Sequence, residues 1–93
     1  VSERIYLDHA ATTPLREEAL EAMLPSLRRG YNASSVHTEG REARAVLDRA
    51  RAGVARCIGA RAKEIIFTGG GSEADNLAVI GVARAMRERG KHL

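Results

Sequence analysis

Apolar residues change their period several times along this 93-residue chain, and each change marks an element. Ile5-Tyr6-Leu7 is a short, β-prone apolar run ended by Asp8, which predicts a strand. The segment Asp8-His9-Ala10-Ala11-Thr12-Thr13-Pro14 has no clear period. Thr13-Pro14 then signals a helix start, because a threonine hydroxyl caps free amides and proline at the first helical position gives up no needed N–H. Glu17 and Glu18 suit the positive end of the helix dipole. Leu20, Met23, Leu24 and Leu27 recur at the i, i+3, i+4, i+7 spacing of a buried stripe. Pro25 falls inside that stripe and predicts a kink or a restart as a short turn. Gly30 ends the element.

Tyr31-Asn32-Ala33-Ser34-Ser35-Val36-His37 is a loop of turn formers. From about Thr38 a second helix is expected. Ala43, Leu47, Ala50, Val54 and Cys57 share one narrow apolar face of it, and Gly59 is a natural C-cap. On that face Cys57 is expected to pack as a small hydrophobe. Ile65-Ile66-Phe67-Thr68 is a continuous apolar run, the pattern of a strand buried on both faces. It leads into Gly69-Gly70-Gly71-Ser72. A third helix is expected from Glu73 to Arg89, and its Ala74, Leu77, Ala78, Val79, Ile80, Val82 and Ala83 predict burial nearly all round. Gly90 stops it, and Lys91-His92-Leu93 resembles the first step into another strand, cut short. The class is therefore α/β, with three helices and one or two strands.

Composition narrows the readings. The chain is 44% hydrophobic and 29% charged, too apolar for a disordered segment. Three aromatics and no tryptophan imply an aliphatic, alanine-rich core. The net charge of +3 raises nucleic acid as a partner, but the arginines alternate with glutamates and no aromatic cluster offers base stacking. A solvated helix surface is the plainer account, and no nucleic acid is expected. No apolar run approaches a membrane span. One cysteine excludes an internal disulfide and fits a reducing, cytoplasmic setting. The three histidines lack metal-ligand spacing, so no metal site is expected.

The chemistry concentrates in the unit strand, glycine loop, helix. Glycines let the backbone approach a ligand, Ser72 stands at the expected N-cap, and the first helix amides lack partners. Together they suit an anion such as a phosphate. A plain tight turn with Ser72 capping its own helix explains the same residues equally well. Asp75, three residues on, suits a capping box. The loop lacks the Gly-Lys-Ser/Thr ending of a nucleotide-hydrolysing loop. Gly69-x-Gly71-x-x-Ala74 matches the loose dinucleotide pattern, but the confirming acidic residue belongs at the end of the next strand, and Glu88 falls inside the expected helix.

Three segments together resemble the cysteine desulfurases, pyridoxal-phosphate enzymes of the class V aminotransferase superfamily. Tyr6-Leu7-Asp8-His9-Ala10-Ala11-Thr12-Thr13-Pro14 looks like their opening signature. Tyr31 to His37, followed by Gly40, resembles their Gly-Asn-Pro-Ser-Ser-x-His loop. Glu64 to Ala78 is similar to their Glu-Ile-Ile-Phe-Thr-Ser-Gly-Gly-Thr-Glu-Ala-Asp-Asn-Leu-Ala segment. The resemblance implies that Gly70, Gly71 and Ser72 bind the phosphate of pyridoxal 5′-phosphate. Four residues depart from the pattern: Ser72 for threonine, Gly69 for serine, Ala33 for proline and Tyr31 for glycine.

The resemblance also implies that residues 1–13 pack with the small domain of a larger enzyme and that residues 14–93 begin its cofactor-binding large domain. It implies removal of sulfur from L-cysteine to give L-alanine and an enzyme persulfide, a homodimer, and a sulfur-acceptor or scaffold protein serving iron–sulfur assembly or thiolation. The family's cofactor-holding lysine and persulfide-forming cysteine match neither Lys63 and Lys91 nor Cys57, so no catalytic residue is assigned and the 93 residues alone are expected to be inactive. They are also expected to be unstable as a free monomer. Another pyridoxal-phosphate enzyme of the same superfamily, such as a selenocysteine lyase, and a dinucleotide-binding or non-catalytic α/β module are the other readings. His9 and His37 border a cavity or dimer interface in one reading and only hydrogen-bond their loops in the other. Asn32, Ser34 and Ser35 position a substrate or merely form a turn.

Overall fold

A computed structural model describes residues 2–92. Its elements are helix α1 (Glu17–Arg29), helix α2 (Thr38–Cys57), a 3₁₀ turn (Ala62–Glu64) and helix α3 (Gly71–Ala85). The chain divides into two compact units, Val1–Leu47 and Asp48–Leu93, and the division falls within α2.

In the first unit, residues 8–12 form a turn in which the Asp8 carbonyl accepts from the Ala11 and Thr12 amides at 3.1 and 3.4 Å. The Tyr6 hydroxyl lies 2.8 Å from the Asp8 carbonyl and 3.1 Å from that of Thr12. The expected strand at Ile5–Leu7 does not form. Helix α1 begins at Glu17, not at Pro14, with Arg16 extended at its N-cap. The Thr13 hydroxyl donates to the His9 carbonyl at 3.4 Å, so it closes the preceding turn instead of capping the helix. Glu17 and Glu18 still occupy the first turn, Arg28 and Arg29 the last, and Gly30 closes the helix at φ 62. The helix runs through Pro25 without restarting. Leu20 and Leu24 of its stripe are half-buried.

In the second unit, α2 ends as expected. Gly59 is left-handed, with the Ala60 amide on the Ala55 carbonyl (2.9 Å) and the Gly59 amide on that of Arg56 (3.4 Å). This is the 6→1, 5→2 pairing of a Schellman stop. The covered face of this half differs from the expected stripe. Ala55 is buried, Arg51 is part-buried with its guanidinium 5.4 Å over the Phe67 ring, and Cys57 is exposed. Phe67 thus comes back under the Arg51 side of the helix, while Val54 and Cys57 are exposed.

Ile65 is extended, at φ −97 and ψ 124, yet no strand is paired among the described residues. A strand takes its hydrogen bonds from another segment, and no ladder partner is assigned to this one among the described residues. The expected one or two strands are therefore absent from the described residues, while the three helices are present. Helix α3 stops at Ala85, short of the expected Arg89. After Met86 the amides of Arg87 and Arg89 bond three residues back, as turns do. Its apolar side chains Leu77, Val79, Ile80 and Val82 are exposed. The expected strand entry at 91–93 includes Leu93, which lies outside the described residues. No helix of the described residues is long and apolar enough to cross a membrane.

Candidate functional site

The glycine loop delivers residues 65–68 into α3. Gly70 is the N-cap, fully extended and without a side chain to cap with. Its carbonyl accepts from the Ala74 amide at 3.1 Å. Helix geometry leaves the amides of Gly71, Ser72 and Glu73 without intrahelical partners. A Cβ added at Gly70 or Gly71 would meet nothing within 4 Å, so the space beside the loop is open. Because the helix begins two residues earlier than expected, Ser72 is its second residue and not its cap. Among the described residues the Ser72 hydroxyl takes no hydrogen bond, while its carbonyl accepts from Asn76 Nδ2 at 2.7 Å.

The same shift in register changes the capping partner. Glu73 now stands at the third helical position, from which a carboxylate reaches back. Its Oε2 accepts from the Gly69 amide at 2.8 Å, and Asp75 plays no such part. The Thr68 hydroxyl donates to the Gly70 carbonyl at 3.1 Å. Glu73 and Thr68 were legible as site residues only once the helix start was placed at Gly71. The expected candidates Gly70, Gly71 and Ser72 thus lie together on one open helix turn. Unpaired amides, a free hydroxyl and the positive end of a helix dipole are donors for a tetrahedral oxyanion.

The loop before α2 is built the opposite way. Asn32 Oδ1 accepts from the Ser34 amide at 2.9 Å, and the Asn32 carbonyl accepts from the Ser35 amide at 3.1 Å. His37 is the N-cap of α2: its Nδ1 accepts from the Gly40 amide at 3.2 Å and its carbonyl from the Arg41 amide at 3.0 Å. Nδ1 also lies 3.1 Å from Glu39 Oε2, an ion pair only when the imidazole is protonated. Arg41 clamps the loop through the Val36 carbonyl at 2.7 Å and the Thr38 hydroxyl at 3.2 Å. His9 packs edge-on against Tyr6, with ring centroids 5.2 Å apart.

A third local cap lies in the 3₁₀ turn. Glu64 accepts from the Arg61 amide at 2.8 Å and from its guanidinium at 2.7 Å. The guanidinium and the amide hold the Glu64 carboxyl below its ordinary range, and the carboxylate raises Arg61. A concavity of about 440 Å³ lies at the far end of α3, lined by Val82, Met86, Arg89 and His92 among others. It is roughly 20 Å, a helix length, from Gly70, so donor chemistry and not volume locates the candidate site.

The family profile of the class-V aminotransferases matches residues 5–93. A Bacillus subtilis (strain 168) protein, provisionally named cysteine desulfurase IscS 1, is 54% identical over 92 residues, covering 98% of this chain and 24% of its own. The cysteine desulfurase IscS of Dictyoglomus turgidum is 50% identical over 94 residues, covering all of this chain and 24% of its own. The IscS-like cysteine desulfurase of Mycobacterium tuberculosis is 53% identical over 87 residues, covering 94% of this chain and 22% of its own. The chain thus spans about a quarter of the length of these relatives. No solved structure matches it significantly.

Proposed function

The chain belongs to the class-V aminotransferase family, and on that premise we propose that it is the N-terminal part of a pyridoxal-phosphate-dependent cysteine desulfurase. In this reading Gly70, Gly71 and Ser72 hold the cofactor phosphate. The observation that carries it is the open first turn of α3, where amides and the Ser72 hydroxyl stand without partners beside side-chain-free glycines. That donor set fits a phosphate ester, which offers only acceptors. Bound there, pyridoxal 5′-phosphate supplies the electron sink for bond breaking at the substrate. The residues of this chain orient it by one end and fix how deep its phosphate sits.

The rest of the reading concerns the whole protein. L-cysteine is converted to L-alanine, with the sulfur passing to an enzyme cysteine as a persulfide and on to an acceptor or scaffold protein for iron–sulfur clusters or thiolation. The protein is a cytoplasmic homodimer. The lysine that holds the cofactor and the cysteine that takes the sulfur lie outside these 93 residues, which alone are inactive. In the whole protein, residues 1–13 pack with the small domain, and residues 14–93 open the large domain, whose parallel sheet covers α3 and completes the α/β fold. Exposure of the α3 side chains in the isolated chain supports this placement.

The test is alanine release from L-cysteine by the full-length protein. The expected result is release that requires pyridoxal 5′-phosphate, with none from residues 1–93 alone. Faster turnover of L-selenocysteine than of L-cysteine would move the reading to a lyase of the same superfamily. Binding of a nicotinamide dinucleotide without pyridoxal 5′-phosphate would overturn it. Glu88, the acidic residue such a ligand would need at a strand end, lies in a turn after α3.

A further inference from the structure

We propose that Glu73 is a positioning residue for the phosphate end of the cofactor, acting through the Gly69 amide; this rests on the phosphate site argued above. Three consecutive glycines form the most conformationally free stretch a chain can have, and an anion site works only if its amides are held in place before the ligand arrives. Two side-chain bonds restrain the loop among the described residues: Thr68 to the Gly70 carbonyl, and Gly69 to Glu73.

The second bond is charge-assisted and short, at 2.8 Å. It ties the residue before the N-cap to the third helical residue, so residues 69–73 close into a ring. The carboxylate takes the Gly69 amide and leaves those of Gly71 and Ser72, with the Ser72 hydroxyl, facing open space. The approach is close enough that a Cβ at Gly69 would stand 3.2 Å from Glu73 Oε2.

An opposing effect comes from the same atom, since a negative charge beside a phosphate repels it. Glu73 is exposed, and water and salt weaken that repulsion more than they weaken a direct hydrogen bond. The tie therefore outweighs the repulsion. Glutamine at this position keeps an acceptor oxygen and loses the charge, whereas alanine loses both.

The experiment uses the full-length apoprotein and two probes, pyridoxal 5′-phosphate and pyridoxal, which differ only in the phosphate. Dissociation constants are measured for wild type, Glu73→Ala and Glu73→Gln, with unfolding midpoints as a check on folding. Glu73→Ala is expected to weaken pyridoxal 5′-phosphate about fivefold, the loss of one hydrogen bond, and to leave pyridoxal unchanged. Glu73→Gln is expected to restore most of the loss. An unchanged ratio of the two affinities in Glu73→Ala overturns the proposal, as does tighter phosphate binding in Glu73→Gln than in wild type. Equal affinity of the wild type for the two probes would instead remove the phosphate site itself, and the role of Glu73 with it.

Discussion

Two loops in this chain lead into helix N-termini and are finished in opposite ways. Before α2, the loop is fastened by its own groups: the Ser34 amide bonds to Asn32, the Gly40 amide to His37, and Arg41 holds Val36 and Thr38. Before α3, the cap is a glycine without a side chain, and the first amides and the Ser72 hydroxyl take no partner among the described residues. Helix ends carry the same unmet donors in both places. Side chains cap part of the α2 end, whereas the α3 end carries the open donors that the proposed phosphate site needs.

The largest expected effect contrasts glycines of the two loops. A Cβ at Gly40 would collide with the Ser35 carbonyl oxygen and stand 2.7 Å from its carbon, backbone atoms that cannot swing aside. Gly40→Ala in the full-length protein is expected to cost about 2–3 kcal/mol of folding stability by overpacking, read from denaturant unfolding. Gly71→Ala meets nothing within 4 Å and is expected to stay within about 0.5 kcal/mol of wild type. Equal losses at the two positions would break the distinction between a packed and an open loop.

Next in size is Ser72→Ala. The Ser72 hydroxyl has no partner among the described residues, so on the proposed reading its loss is felt by the cofactor phosphate and not by the fold. Stability is expected to hold within about 0.5 kcal/mol, while pyridoxal 5′-phosphate binds about tenfold more weakly, as for a lost hydrogen bond to a charged group. In the closed loop the pattern reverses. His37→Ala is expected to cost about 1 kcal/mol of stability through the lost cap, and His37→Asn to recover it, since asparagine caps well. Thermal unfolding and cofactor titration on the same samples read both sides. A His37→Ala protein with full stability would show that the 3.2 Å contact to Gly40 is incidental.

The same contrast explains what was legible in the sequence. Helix existence was, because periodicity, the dipole-matched ends and stops at Gly30 and Gly59 are local signals. The helix starts differ from the sequence expectation for a shared reason: sequence signals point to a capping side chain, and none caps α1 or α3. Arg16 and Gly70 hold those positions instead, and the candidate hydroxyls of Thr13 and Ser72 are directed elsewhere or free. Strand propensity at 65–68 predicts a strand, but propensity supplies no pairing partner. Cys57 was placed by period alone, whereas the covered side of α2 is set by where Phe67 returns over Arg51, a contact sixteen residues apart that no helical period encodes. That Gly70, Gly71 and Ser72 share one helix start was legible because a glycine run before a helix is a local signal that needs no tertiary information.

The smallest effect sharpens the comparison from inside the second unit. The 3₁₀ turn at Ala62–Glu64 is a closed cap made by an ion pair, so pH should open it while leaving the glycine loop unaffected. Glu64 is held below its ordinary value of 4.5 by Arg61, whose guanidinium stays protonated throughout. A depressed carboxyl contributes stability that is present above its unfolded value and lost as pH falls through the lower folded one. The Arg61 amide, bonded to Glu64 Oε2 at 2.8 Å, reports the event directly. Its NMR shift in the full-length protein is expected to titrate with a midpoint below 4.5, and to be flat with pH in Glu64→Gln. A midpoint at or above 4.5 would mean that the pair does not hold the turn. The closed caps of this chain would then be less fixed than their hydrogen bonds imply, and the open loop before α3 less distinct from them.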